Sequence, residues 1–276
     1  MLKWCSYCQQ FMGEVPSYQD LVVTHAVCPA CQARAPDFTD SDFDLAMALR
    51  DLQDRLHEAG RRNDLEAADE AIRAAIASNI RPVDILVGVI APLLYHIGEQ
   101  WKQNRICVAE EHRFTVFCDA VYVRICAMAA DPAGAGAVPE QRPRILVMNA
   151  PGNVHTMAIR MLALWLRNRD WPVQLLEVPV ATEQLVALLT SVRPRLLLLS
   201  MALAEQAAAV KVIVERIGSL PESMRPSIIV GGNAVKLGLV APIAGSEFVA
   251  DISSLSGALA HLLSGVPADA GLELSR

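Results

Sequence analysis

The chain has 276 residues, of which 53% are hydrophobic and 20% charged, and its formal net charge is −6. That length and composition suit two folded domains with a small added segment and exclude a disordered chain. With 24 Lys and Arg against 30 Asp and Glu, nothing favours a surface that neutralises phosphates, so no direct nucleic-acid binding is expected. The first residues, MLKWCSYC, lack a basic stretch leading into an apolar one and are not expected to be a signal peptide. The run PVDILVGVIAPLLYHIG contains Asp84 and Pro92 and carries a helical stripe. It is expected to be a core helix, not a membrane span. The expectation is a soluble, cytoplasmic protein with no membrane contact.

In chain order, residues 1–39 are dominated by two pairs, Cys5-x-x-Cys8 and Cys28-x-x-Cys31, separated by nineteen residues. A C-x-x-C knuckle aims two thiolates at one point, and two knuckles complete the tetrahedral sulfur shell that Zn²⁺ accepts. A redox dithiol pair or an iron–sulfur centre would use the same residues and stays open. His25, near the second knuckle, could replace a ligand, but four cysteines need no help. So short a segment builds little core, and a bound metal would stabilise it. The strings WCSYC and VCPAC resemble the small zinc-ribbon-like modules found beside bacterial sensor and response-regulator domains. That resemblance implies a protein-contact or signalling appendage. Cys107, Cys118 and Cys126 are scattered through a helical region and receive no role.

Residues 40–130 predict a four-helix bundle. The first helix covers about 42–59, with Asp40 and Ser41 as candidate N-caps and Gly60 as its end. The second covers about 64–78. The third starts after Pro82, with Asp84 near its positive end, and runs to about 103. The fourth covers about 108–129. Short connections make antiparallel neighbours. Three Pro and two Gly in DPAGAGAVPEQRPR then mark a linker over 131–143.

From 144 to 267 the pattern alternates between strands and helices, and 268–276 reads as a tail. Strands are predicted at 144–149, 173–178, 195–201, 227–231 and 247–250. Helices are predicted near 155–169, 182–192, 204–217, 233–240 and 253–264. The fold class is α/β: a flavodoxin-like (Rossmann-like) five-stranded parallel sheet, preceded by the four-helix bundle cap and the zinc-ribbon-like segment. Ligands of such sheets bind beyond the carboxyl ends of the strands. The first strand ends in N-A-P-G-N-V-H-T-M-A, which puts His155 in that crevice. One imidazole nitrogen is then free for a metal centre, and a neighbour can hold the other. Asn153 and Ser200 are the candidate neighbours. A surface histidine near a helix start is the plain alternative.

The same stretch resembles the cobalamin-binding module shared by methionine synthase, corrinoid methyl carriers, mutases and adenosylcobalamin photoreceptors. Their first loop carries D/E-x-H-x-x-G, whose histidine displaces the cofactor's own base and ligates cobalt. Here the positions are Asn153, His155 and Ala158, so the acid has become Asn and the Gly has become Ala. The element after the third strand keeps only Ser200, and the glycine pair after the fourth is Gly231-Gly232. The resemblance implies that backbone at that pair approaches the buried nucleotide tail. In the bundle, Trp101 followed after nine residues by Glu111-His112 resembles the cap motif of light-sensing adenosylcobalamin regulators. There the Trp covers the upper face of the corrin, and the Glu-His pair lines the upper pocket. Those regulators carry a DNA-binding domain before the cap, where this chain has the cysteine segment. They also have a His after the cap Trp, where this chain has Lys102.

The resemblance implies a regulator rather than an enzyme. It would use adenosylcobalamin held base-off between bundle and sheet, with His155 as the lower cobalt ligand. Light would break the cobalt–carbon bond, and a change in self-association or in a protein partner would be the output, with a homo-oligomer expected. Three alternatives stay open. They are a corrinoid methyl carrier, a haem or other tetrapyrrole sensor on the same fold, and an interaction module without cofactor.

Overall fold

The computed structural model describes residues 1–16, 18, 20–34, 41–129 and 144–263, and of 41–47, 129 and 263 the backbone alone. The linker expected at 131–143, the tail at 268–276 and the candidate cap Asp40 lie outside the described residues.

The N-terminal segment forms a small sheet of β1 (Leu2–Cys5), β2 (Phe11–Glu14) and β3 (Val23–Ala26), in the order β2-β1-β3. β2 is antiparallel to β1 and β3 is parallel to it. A single helical turn, α1 (Pro29–Gln32), follows. Strand alternation puts Leu2, Trp4 and Phe11 on one face, and all three are buried. That face packs on the bundle and joins the main hydrophobic core.

The bundle consists of α2 (Ser41–Arg62), α3 (Leu65–Ala77), α4 (Pro82–Lys102) and α5 (Val108–Ala129). α2 continues past Gly60, the expected stop. The chain turns instead at Asn63, which takes the left-handed conformation (φ 56°). Gly60 serves packing, because the Phe114 ring lies where a side chain would be. Asn79 and Asn104, just past α3 and α4, take the same left-handed conformation. Asp64 caps α3 by accepting from the Ala67 N–H at 3.0 Å. Pro82 opens α4, which loosens into a π-helical turn at Leu86–Ile90. Inside that turn the bare Cα of Gly88 faces the Trp4 and Phe11 rings. α4 is long and apolar enough to cross a membrane by length and composition alone. Its residues Ile85, Leu86, Ile90 and Leu93 are instead buried in the core. Asp84 is fully buried beside Arg81, at 2.6 Å, and burial pushes its carboxyl up while Arg81 opposes the shift.

The α/β part contains β4 (Ile145–Asn149), α6 (Thr156–Arg167), β5 (Val173–Leu176), α7 (Thr182–Val192), β6 (Leu196–Ser200), α8 (Ala207–Gly218), β7 (Ser227–Gly231), α9 (Asn233–Lys236), β8 (Glu247–Phe248) and α10 (Ile252–Leu263). The sheet order is β5-β4-β6-β7-β8 and every pairing is parallel. The five strands and their flanking helices are thus the expected flavodoxin-like arrangement, although β8 and α9 are shorter than predicted. Alternate residues face opposite cores. Ile145, Val147, Leu196 and Leu198 pack with α6, α10 and the bundle. Leu146, Met148, Leu197 and Leu199 pack with α7 and α8.

Candidate functional site

Strand register sets the first part of the site. Asn149 pairs with Ser200, and Ser200 with Gly231, so the last residues of β4, β6 and β7 form one row at the carboxyl edge. The loop from Ala150 to His155 leaves this row and enters α6. Asn153 is only 3% exposed and holds the loop from inside. Its Nδ2 donates to the Ser200 carbonyl (2.9 Å) and to Asn149 Oδ1 (3.1 Å), while its Oδ1 accepts from the His155 N–H (3.0 Å). Asn149 Nδ2 donates to the His155 carbonyl at 3.3 Å. Both peptide groups of His155 are therefore fixed, and its side chain stands exposed at the edge. This corrects the expected pairing: Asn153 grips the backbone rather than the imidazole, and Ser200 takes part through its carbonyl. Asn149, a polar residue closing an otherwise buried strand, was the signal that sequence reasoning passed over.

The bundle residues stand on α4 and α5. Arg160 of α6 pairs with Asp119 of α5 at 2.9 Å, and the Tyr122 hydroxyl donates to the Arg160 carbonyl at 3.5 Å. Arg167, further along α6, acts on Tyr122 and Cys126, further along α5. α5, joined to α4 by the short connection 103–107, and α6 both run antiparallel to α4 and so parallel to each other. α4 runs the other way. Asp84 at its start feels Arg169 just past the end of α6, and Val87, Ala91 and Tyr95 meet Ala158 and Met161 near the start of α6. At 1.5 Å per residue, α4 is about 31 Å long against about 18 Å for α6, so Trp101 extends beyond the start of α6. Trp101 is 46% exposed. Glu111 accepts from the Thr115 hydroxyl at 3.0 Å and lies 2.7 Å from His112 Nδ1. Lys102 lies 3.9 Å from Glu99. Exposed Val108 opens α5, and exposed Val154 and Val178 lie in the loops after β4 and β5. The short connection 103–107 sets Glu111 and His112, in the first turn of α5, beside the Trp101 end of α4, toward the end of the molecule at which α6 starts after His155.

Beneath the edge lies a cavity of about 160 Å³. Ala158, Met161 and Leu162 of α6, Ser200, Gly231 and Gly232 line one side, and Tyr95 and Phe11 line another. The glycine pair is needed for protein contacts. A Cβ on Gly232 (φ 99°) would stand 2.6 Å from the Met201 carbonyl oxygen, and one on Gly231 3.1 Å from that of Val249. Lys236, one turn past the pair, is buried against Glu14 at 2.5 Å. Desolvation and the Glu14 charge push the neighbouring Tyr95 phenol up to about 12. No spacing signals the contact between Glu14 and Lys236, which lie 222 residues apart.

The four cysteines meet. Cys5, Cys8, Cys28 and Cys31 bring their sulfurs within 4.8 Å of one another, with Cys8 and Cys28 at 3.6 Å. A tetrahedral Zn²⁺ with bonds of about 2.3 Å separates its sulfurs by about 3.8 Å, so the donor set fits. The Cys28 N–H points to Cys5 Sγ at 3.4 Å. Burial raises the Cys5 thiol, but backbone hydrogen bonds outweigh it and bring the thiol down to about 6. His25 on β3 lies outside this cluster. Cys118 is buried, and desolvation pushes its thiol up.

Residues 52–122 match a family model described as B12 binding domain, and residues 143–238 match a second model of the same description. No curated protein matches the chain. Among solved structures, the monomethylamine corrinoid protein of Methanosarcina barkeri has 15% identity and a TM-score of 0.62, with 77% of this chain and 98% of that chain covered. The methanol:cobalamin methyltransferase complex of the same organism has 16% identity and a TM-score of 0.41, covering 87% and 86%. A cobalamin-binding protein from Desulfitobacterium hafniense DCB-2 has 14% identity and a TM-score of 0.40, covering 76% and 98%. The first likeness establishes the shared fold.

Proposed function

On the premise that this chain belongs to the cobalamin-binding family, we propose that it is a corrinoid carrier with no catalysis of its own. It would hold cobalamin between bundle and sheet, with His155 below the cobalt, and offer the upper side to a separate protein partner. The observation that carries this reading is the loop around His155. Two buried amides, of Asn153 and Asn149, fix the backbone on the two sides of one residue, which itself stays exposed at the ligand edge. Such an arrangement sets the ring's position before any ligand arrives. The fold shared over 98% of the monomethylamine corrinoid protein supports the carrier reading.

When bound, the corrinoid would supply a metal that accepts and releases an alkyl group. This chain's residues provide the surroundings. His155 would hold the cobalt without a charged partner, because Asn153 is occupied with the Ser200 carbonyl, the His155 N–H and the Asn149 side chain. Trp101 gives an exposed flat surface for the upper side, and Glu111 orients His112 through their 2.7 Å contact. The cavity lined by Ala158, Ser200 and Gly232 would hold the nucleotide arm. The four cysteines hold Zn²⁺ and stabilise the N-terminal sheet. A second reading, a light sensor using adenosylcobalamin, is favoured by Trp101, Glu111 and His112 standing on the adjoining ends of α4 and α5. Its output would be self-association or a partner contact.

Reconstitution in darkness with methylcobalamin and with adenosylcobalamin, followed by illumination and size-exclusion chromatography, separates the two. The carrier binds both forms comparably and elutes unchanged after light. A marked preference for the adenosyl form, with a light-dependent shift in elution, establishes the sensor instead. In either case His155→Ala alters the visible spectrum. Binding of neither corrinoid overturns both readings.

A further inference from the structure

The N-terminal cysteine segment takes part in the cavity beneath the sheet edge. Phe11, Gly13 and Glu14, all on β2, line it together with Ala158, Ser200 and Gly232. The contact is tight. Gly13 has φ 107°, and a Cβ there would stand 2.8 Å from the Ser253 Cβ at the start of α10. Glu14 reaches Lys236 at 2.5 Å with the two side chains 10% and 6% exposed, and the Lys236 ammonium lies 4.4 Å from the centre of the Tyr95 ring. On the other side, Trp4 and Phe11 rest on Gly88 inside the π turn of α4. β1 joins this wall to the cysteines, since Trp4 pairs with Phe11 across the strands and Cys5 is the next residue.

We infer that the cysteine segment is a wall of the corrinoid's nucleotide cavity, so that metal on the four cysteines and the nucleotide arm in the cavity favour each other's binding. This rests on the corrinoid reading above. A metal that orders Cys5, Cys8, Cys28 and Cys31 fixes the end of β1, and with it the position of Phe11, Gly13 and Glu14. An arm filling the cavity contacts those same residues and holds β2 in place. Each ligand thus stabilises the conformation the other needs, and the coupling is reciprocal. The Glu14–Lys236 pair is the clasp. Both charges are withdrawn from water, so loss of one leaves the other uncompensated and loosens the wall.

The test uses the full chain. Zinc affinity is measured by competition with a chelator, with and without saturating hydroxocobalamin, and hydroxocobalamin affinity is measured with zinc present and removed. The expected result is about a tenfold gain in each direction, equal within error. Cobinamide, which has a corrin ring but no nucleotide arm, should change zinc affinity less than about twofold. Glu14→Gln should still bind one zinc but lose most of the coupling, and Lys236→Met should do the same. If both ligands bind and neither affects the other, this inference falls while the corrinoid reading stands. It also falls if cobinamide couples as strongly as cobalamin, or if cobalamin weakens zinc binding. Failure of the parent protein to bind any corrinoid removes the corrinoid reading and this inference together.

Discussion

The cysteine cluster and the His155 loop are built on opposite plans. The cluster is closed: four sulfurs converge within 4.8 Å, and three of the four cysteines are buried. The His155 loop is open: one imidazole stands exposed, and all of its order lies in the buried amide behind it. A closed shell satisfies a metal completely and so serves folding, whereas a single ligand on a fixed backbone leaves the metal's other positions to other partners. Chemistry is therefore expected at the open site and stability at the closed one.

The sharpest way to break this contrast is to remove a cysteine. Cys28→Ser should abolish zinc binding and cost the N-terminal sheet several kcal/mol. Hydrogen exchange should show lost protection over residues 2–26, with β4, β6 and β7 retaining theirs. A parent protein that carries no zinc would remove the comparison's first half. Next in size is Asn153→Ala, which takes the Asn153 partner from the His155 N–H and from Asn149 Oδ1, while the Ser200 carbonyl keeps the Ala150 N–H. The expected loss is about 2–3 kcal/mol in urea unfolding. Asn153→Asp should also destabilise, although it restores the acid found in the resembled motif. A carboxylate would face two acceptors, the Ser200 carbonyl and Asn149 Oδ1, to which Asn153 now donates. An Asp variant as stable as the parent would show that the amide network is not what holds the loop.

This network also shows where sequence reading stops. The parallel sheet was legible because 196–199 (LLLL) and 145–148 (ILVM) are apolar throughout, as strands covered on both faces must be. The placement of His155 followed from its position after the first strand. The grip of Asn153 was not legible, because the motif predicts which residue stands beside the histidine but not which atoms it meets. Gly60 was read as a helix end, although its lack of a side chain is used by Phe114, from a helix fifty residues later. The Glu14–Lys236 clasp had no local signal at all. Contacts between segments distant in sequence decide these three, and neither period nor composition records them.

Two smaller effects sharpen the contrast from the bundle's side. Trp101 is half exposed and fills no core position, so Trp101→Ala should change stability by less than about 0.5 kcal/mol. Corrinoid affinity should nevertheless fall by about 1 kcal/mol, because an aromatic face over the macrocycle is lost. Equal affinity in the variant would show that the upper surface is made by other residues.

The smallest expected effect is pH-dependent and lies in the bundle interior. The rings of His57 on α2 and His96 on α4 meet edge-on at 6.0 Å, and His96 Nε2 lies 2.7 Å from Gln100 Nε2. Desolvation holds both histidines below the usual range. The positive charges of His96 and Arg61 add to this at His57, and that of Arg105 at His96. The unfolded chain therefore takes up protons first as pH falls below the ordinary histidine value of about 6.5. Above that value both states are neutral and the pair leaves stability unchanged, whereas below it the folded state loses ground. A thermal melting series from pH 7.5 to 5.5 should show a small fall that His57→Leu reduces. A melting temperature that rises on acidification would mean that a counter-charge, not desolvation, governs these rings.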